Sequence, residues 1–200
     1  MSHPHFFQTA IRLTMYDPLA ELLGAADKGL VEYSYTVVVK LAGHSCPTVA
    51  GAYLMTIKAL KHLYADGHPE RGGIKVEFRD DQLHHVTGVI ANVVGFITGA
   101  TTDSGFKGLG GKYDRRNLMS FNAPIGGEIQ FQRLDTGAKV AVNFNASVVP
   151  ASPALMPMLQ KILSGAASTE ESSRFAGEWQ ERVGKILANA DHPDLITYAR

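Results

Sequence analysis

The sequence predicts an α+β fold in which a mixed β-sheet is flanked by helices. In the first half of the chain, strand-like segments alternate with segments whose apolar residues repeat at helical spacing. In the second half, two strand-like segments surround a tight turn, as in a β-hairpin. With 200 residues, 45% of them hydrophobic, the chain can bury a sizeable core. We therefore expect one domain with terminal appendages.

Capping residues and periodicity predict the first elements. Asp17 followed by Pro18 is typical of the start of a short helix. Residues 31–41 are rich in Val and Tyr, which predicts a strand. After Pro47 the apolar residues repeat at helical spacing, and Gly67 is expected to end that helix.

The next segments complete the predicted sheet. Residues 73–80 alternate with a period of two and predict a strand, whereas the apolar segment 86–97 predicts a second helix. NLMSFN at 117–122 predicts a further strand, and a β-hairpin is expected around the turn at 135–137. If the strand at 31–41 runs parallel to the strand at 73–80, the turns after both strands lie at one edge of the sheet.

The C-terminal quarter is expected to be helical. Pro150, Pro153 and Pro157 mark a turn and a perturbed short helix, and a capping box of Ser168 and Glu171 predicts the start of a longer one. The apolar stripe of this helix comprises Phe175, Trp179, Val183, Ile186 and Leu187. The stripe either packs on the sheet or forms a homodimer contact.

These elements suggest a division of the chain into three parts. Residues 1–29 are expected to be an N-terminal helical segment, and residues 30–147 the α+β core. Residues 148–200 are then C-terminal helices, packed on the core or at a dimer interface.

Composition argues against several classes of partner. Nineteen basic and nineteen acidic residues cancel, so no global field attracts nucleic acid or an anionic membrane. The N-terminus lacks the pattern of a secretory signal, and no segment has the length and apolarity of a membrane span. A single cysteine excludes an intrachain disulfide, so we expect a cytoplasmic protein.

The pentapeptide GHSCP at 43–47 contains the only cysteine of the chain, Cys46, two residues after His44. Pro47 at the first helical position would place Cys46 at the N-cap, where the helix dipole and free amides stabilise a thiolate. The predicted strand-to-helix turn has two chemical uses: half of a transition-metal site, or an activated nucleophile with its base. The alternative is a buried free cysteine beside a hydrogen-bonded histidine.

Three segments, in order, resemble the FmdE family, which is named for a component of formylmethanofuran dehydrogenase. GHSCPTVAGAYLMTIKAL at 43–60 is similar to the family signature, a Gly-His-x-Cys-Pro turn that opens a helix with small residues. GVIANVVGFITGAT at 88–101 resembles its second helix, and FKGLGGKYDRRNLMSF at 106–121 resembles its Gly/Lys-rich loop and the strand after it. The resemblance implies the fold that this family shares with the catalytic domain of glyceraldehyde-3-phosphate dehydrogenases.

The resemblance also implies a bound transition metal, most simply zinc, at His44 and Cys46. Family members often carry another cysteine before the second helix, where this chain has His84 and His85. A His and a Cys leave zinc two ligands short, so we expect one of these histidines to be a third ligand. The alternative is that both face solvent. Some members carry a cysteine-rich zinc-binding tail, and this chain has no cysteine after Cys46.

The loop GFKGLGGKYDRR at 105–116 is expected to close over a small anionic ligand. Its glycines allow close backbone approach, and four cations would neutralise a phosphate or carboxylate. These cations are Lys107, Lys112, Arg115 and Arg116. The loop does not match a P-loop. The alternative is an ordinary solvated surface loop.

Two functions of different classes follow. The first is a metal-binding accessory or regulatory protein with a small-ligand pocket at the GHSCP turn, linked to one-carbon or metal-cofactor metabolism only through the family name. The second is an enzyme that uses an open metal site to activate water, or Cys46 as a thiolate nucleophile. The absence of a GxGxxG fingerprint argues against a nicotinamide-dependent dehydrogenase.

Overall fold

The computed structural model describes residues 3–199 of the chain. The helices in this range are α1 (Phe6–Thr9), α2 (Pro18–Leu22), α3 (Tyr35–Ala42), α4 (Pro47–Leu63), α5 (Thr87–Thr98), α6 (Leu155–Leu163) and α7 (Thr169–Ala188). The strands are β1 (Leu13–Tyr16), β2 (Leu30–Tyr33), β3 (Ile74–Phe78), β4 (Met119–Ser120), β5 (Ile129–Arg133), β6 (Lys139–Phe144) and β7 (Ile196–Tyr198). Helices pack on a sheet with parallel and antiparallel pairs, so the predicted α+β fold with a mixed sheet is confirmed.

The main sheet has the strand order β4-β3-β5-β6-β7. β3 pairs parallel with β4 and antiparallel with β5, so α5 lies in the crossover between β3 and β4. The predicted hairpin of β5 and β6 is confirmed, and its turn contains Gly137 at a φ of +72°. β7 extends the edge at β6, although the sequence pattern did not predict this strand.

The N-terminal segment contains a strand as well as helices. β1 pairs antiparallel with β2 in a separate two-stranded sheet, across the expected boundary at residue 30. The expected parallel pairing of the strand at 31–41 with the strand at 73–80 is therefore wrong. The predicted helix cap is confirmed, because Asp17 Oδ1 accepts hydrogen bonds from the backbone N–H groups of Leu19 and Ala20.

The prediction of a single strand over 31–41 is also wrong, because β2 ends at Tyr33 and α3 begins at Tyr35. Tyr35 and Val38 are both fully buried, and they are three residues apart. In a strand this odd spacing would point the two side chains to opposite faces, whereas in a helix they share a face. Burial of both side chains thus favours the helix over the β preference of Val and Tyr.

α4 runs through the centre of the core, and its residues pack against β6, α5 and α7. Gly51 lies where this helix meets the ring of Phe144, and a Cβ at Gly51 would overlap that ring. The glycine therefore permits the close approach of helix and sheet.

The C-terminal helix α7 begins at the predicted capping box. Ser168 Oγ accepts from the Glu171 N–H at 3.2 Å, and Glu171 Oε2 accepts from the Ser168 N–H at 2.9 Å. Val183, Ile186 and Leu187 of its stripe are buried, with α4, α6 and α1 packed against this helix. A homodimer stays a prediction. Within residues 3–199, no helix combines the length and apolarity needed to cross a bilayer.

Candidate functional site

The GHSCP segment joins two helices, α3 and α4, so the predicted strand-to-helix turn is a helix-to-helix turn. Gly43 ends α3 with a φ of +75°, and its N–H bonds to the carbonyl of Val39. Cys46 is the N-cap of α4 with Pro47 at the first helical position, as predicted. The Val49 N–H donates to Cys46 Sγ at 3.4 Å, so a free amide of the helix start points at the sulfur.

His44 and Cys46 face each other across the turn. His44 Nε2 lies 3.3 Å from Cys46 Sγ, and His44 Nδ1 lies 2.9 Å from the carbonyl oxygen of Ala42. Since a carbonyl only accepts, Nδ1 carries the proton that it donates to Ala42. Nε2 then accepts from the Cys46 thiol, or, after proton transfer, the imidazolium donates to the thiolate. The imidazole is exposed and the cysteine is buried.

The backbone of the turn is held from a distant helix. The indole Nε1–H of Trp179 and the amide Nε2–H of Gln180 both donate to the Ser45 carbonyl at 3.0 Å. The Ser45 hydroxyl lies 3.0 Å from the hydroxyl of Tyr35, and burial raises the pKa of Tyr35, which keeps that phenol protonated. We call Trp179 and Gln180 of α7, which both donate to the Ser45 carbonyl, the carbonyl clamp. The only sequence signal for the contact of α7 with the GHSCP turn is the apolar stripe that contains Trp179.

A cleft of about 510 Å³ adjoins the turn. Its lining includes His44 but not Cys46, so the imidazole lies between the cleft and the sulfur-bearing helix start. α3 and α5 supply an apolar part of the lining with Leu41, Val89 and Phe96. The GHSCP turn therefore lies near α5 because α3 packs against α5, and not because the two share a sheet edge.

Part of the cleft lining is polar. Sequence analysis did not identify the polar lining residues, because Asn, Gln, Ser and Thr have no recognisable spacing for ligand binding. They are Gln82, Asn92, Thr101, Thr102 and Ser104.

The structure does not bring His84 and His85 to the GHSCP turn as ligands. Within residues 3–199, no three His, Cys, Asp or Glu side chains form a cluster that would hold a metal ion. The two histidines are exposed in the loop before α5, with ring centroids 4.0 Å apart. His84 Nδ1 lies 3.6 Å from a carboxylate oxygen of Asp80, and His85 has a φ of +47°. The positions of both histidines are therefore described by contacts and backbone angles within their own loop.

The four loop cations are also not gathered on the cleft lining. Lys107 and Lys112 are exposed. Arg116 forms a forked pair with Asp114, and the hydrogen bonds from Arg116 lower the pKa of Asp114 to about 2.

Arg115 is buried and serves as an internal anchor of the loop. Its Nη2 donates to Asp17 Oδ1 at 2.8 Å, and Arg71 Nη1 donates to Asp17 Oδ2 at 3.2 Å. Burial alone would raise the pKa of Asp17, but the Ala20 N–H and the Arg115 guanidinium lower it below its usual value. The carbonyl of Arg115 accepts from both the N–H and the hydroxyl of Thr101, so this anchor also fixes one residue of the cleft lining.

The His44 and Cys46 pair fits two positions of a tetrahedral zinc ion. Usual Zn–S and Zn–N distances put the sulfur and nitrogen of two tetrahedral ligands roughly 3.5 Å apart, close to the observed separation. The hydrogen bond from Nδ1 to Ala42 is the type of contact that orients a metal-binding histidine. Within residues 3–199, no third His, Cys, Asp or Glu joins this pair in a cluster that could hold a metal ion.

Comparison with known proteins agrees with the resemblance noted from the three segments. A search of curated protein sequences found no match. The family described as "FmdE, Molybdenum formylmethanofuran dehydrogenase operon" matches residues 41–193. The match begins just before the GHSCP turn and continues through α7, so it includes the carbonyl clamp as well as the cleft. Because it covers more than half of the sequence, the chain belongs to the FmdE family.

Proposed function

We propose that this chain binds one transition-metal ion, most simply zinc, through His44 Nε2 and Cys46 Sγ, and that a small ligand occupies the adjoining cleft. The supporting observation is the orientation of the imidazole. Nδ1 is committed to the Ala42 carbonyl, which leaves the Nε2 lone pair facing a sulfur 3.3 Å away. When bound with open positions, such an ion supplies Lewis-acid chemistry.

The residues of the chain contribute binding and orientation in this proposal. The Val49 N–H and the start of α4 stabilise negative charge on Cys46 Sγ, and the carbonyl clamp fixes the backbone between the two ligands. His44 is the member of the pair that lines the cleft, so a bound ligand would lie next to the imidazole. From the name of its family, we propose that the protein acts beside formylmethanofuran dehydrogenase or in metal-cofactor metabolism.

Metal content tests the proposal directly. The wild type, produced without a histidine tag and without added metal, should contain about one metal ion per chain by elemental analysis. His44→Ala and Cys46→Ser should each lower the occupancy strongly, because one remaining ligand binds zinc weakly. His68→Ala is the matched control, since His68 is an exposed histidine outside the turn. Unchanged metal in both ligand variants would refute the proposal.

The second candidate is an enzyme in which Cys46 is a nucleophile and His44 its base. The same 3.3 Å contact, together with the amide that donates to Sγ, favours it. Alkylation by iodoacetamide near neutral pH separates the two candidates. If the thiol is free, a chelator should leave the alkylation rate unchanged. If Cys46 holds a metal, chelation should expose the thiol and increase the rate.

A further inference from the structure

In the described part of the chain, the cleft lacks the charged side chains that would bind an ionic ligand. None of the described residues that line it is Asp, Glu, Lys or Arg. The four cations of the nearby loop do not line the cleft: Arg115 is buried against Asp17, Arg116 is paired with Asp114, and Lys107 and Lys112 are exposed outside the lining. The lining side chains offer an entering ion no opposite charge in return for the hydration it loses, and the Cys46 thiolate offsets part of the charge of the proposed metal ion.

The polar groups of the lining suit a neutral partner. The side chains of Gln82, Asn92 and Ser104 are exposed on the lining, so their polar groups are accessible to a ligand. Their amide and hydroxyl groups offer both donors and acceptors, which replace the hydration of a neutral polar group. Leu41, Val89 and Phe96 supply apolar area beside them. The volume of about 510 Å³ is within the range of small-molecule sites.

We infer that the cleft binds an uncharged ligand that carries amide or hydroxyl groups on an apolar body, with Phe96 in contact with the apolar body and Gln82 and Asn92 in contact with the polar groups. The inference names the ligand class for the proposed function and rests on it for the role of the metal. The uncharged lining favours this class over the anionic ligand expected from the loop sequence.

Three probes of one shape but different charge test the inference: benzamide, benzoate and benzamidinium. They are titrated into the ¹⁵N-labelled full chain as purified, with any bound metal retained, and the side-chain amide signals of Gln82 and Asn92 are followed by NMR. Benzamide should shift these signals saturably, with a dissociation constant at least about tenfold lower than those of the two ions. Benzoate or benzamidinium binding as tightly as benzamide, or the absence of a saturable benzamide shift, would overturn the inference.

A pair of variants tests the location of the site. Gln82→Glu places a negative charge on the lining and should weaken benzoate further while tightening benzamidinium several-fold. Gln160→Glu makes the same change at an exposed position of α6 and should alter none of the three constants. Equal effects of the two variants would place the probes outside the cleft.

The outcomes for the two proposals are separable. If His44→Ala and Cys46→Ser retain metal while the ranking of the probes holds, the metal site fails and the ligand class stands. If those variants lose metal while an ionic probe binds best, the ligand class fails and the metal site stands.

Discussion

Arg115 Nη2 donates a hydrogen bond to Asp17 Oδ1 at 2.8 Å, although the two residues are 98 positions apart. The contact joins the N-terminal segment, where Asp17 caps α2, to the loop that contributes Thr101 to the cleft. Gly99 makes room for it, since a Cβ there would overlap the guanidinium of Arg115. The glycine after α5 and the aspartate before α2 thus shape one buried ionic cluster.

Asp17→Asn should destabilise the fold by about 3–5 kcal/mol, because it leaves the buried guanidinium of Arg115 without an opposite charge. Asn retains a side-chain oxygen for the helix cap, so the change isolates the charge. Urea unfolding at neutral pH measures the effect. The matched control is Glu32→Gln, which removes the half-exposed pair with Arg12 and should cost at most about 1 kcal/mol. Equal costs would contradict the buried role of Asp17.

Since the pKa of Asp17 is lowered in the folded protein, its stabilising effect is present above its ordinary value and is lost as pH falls through the folded value. In Asp17→Asn this part of the acid destabilisation below about pH 4 should be absent.

Glu128→Gln should raise stability at neutral pH. Burial raises the pKa of Glu128, against the opposing hydrogen bond from the Phe144 N–H at 3.3 Å. The folded state therefore binds more protons than the unfolded state between the ordinary and raised values, and stability falls as pH rises through this window. The variant should lose that fall in a series of thermal melts from pH 4 to pH 8. Glu181→Gln, at an exposed carboxylate of α7, is the control. A pH profile of Glu128→Gln identical to the wild type would rule out the effect.

Removal of the carbonyl clamp should weaken metal binding while the protein stays folded. In Trp179→Phe/Gln180→Ala the Ser45 carbonyl loses both of its donors, so the turn between His44 and Cys46 is less well fixed. Groups that orient metal ligands typically contribute 10- to 100-fold in affinity, and we expect a loss of about tenfold. Competition with a chromophoric chelator measures it, with Gln160→Ala as the control. Wild-type affinity in the double variant would show that the clamp does not position the ligands.

Gly51→Ala should destabilise the protein by about 1–3 kcal/mol, because the new methyl group overlaps the ring of Phe144 at the contact of α4 with the sheet. Gly177→Ala makes the same change in α7, where no described atom beyond the adjoining turns of the helix lies within 4 Å of the new methyl group, and it should stabilise the protein by up to about 1 kcal/mol. The test is whether the two variants change the free energy of unfolding in opposite directions. Stabilisation by both variants would mean that Phe144 moves aside without cost.

The sequence predicted the parts of the site that depend on near neighbours. Cys46 caps α4 because Pro47 follows it, and His44 reaches the sulfur because only one residue separates them. The prediction for His84 and His85 relied on a shared sheet edge and the one for the loop cations on loop composition, and the structure gathers neither set at the turn. The surroundings of the turn depend on how α3 packs against α5, and the place of Arg115 depends on its contact with Asp17; no local sequence pattern contains either.

The same division holds for the fold. The cap at Asp17, the capping box at Ser168 and the β5–β6 hairpin rely on hydrogen bonds within a few residues, so the sequence alone determined them. Only the tertiary structure decided that residues 35–42 form a helix and that α7 clamps the GHSCP turn. Burial of Tyr35 and Val38 on one face outweighs a β preference of at most about 1 kcal/mol per residue. The clamp joins residues more than 130 positions apart, and only the packing of the whole chain brings them together.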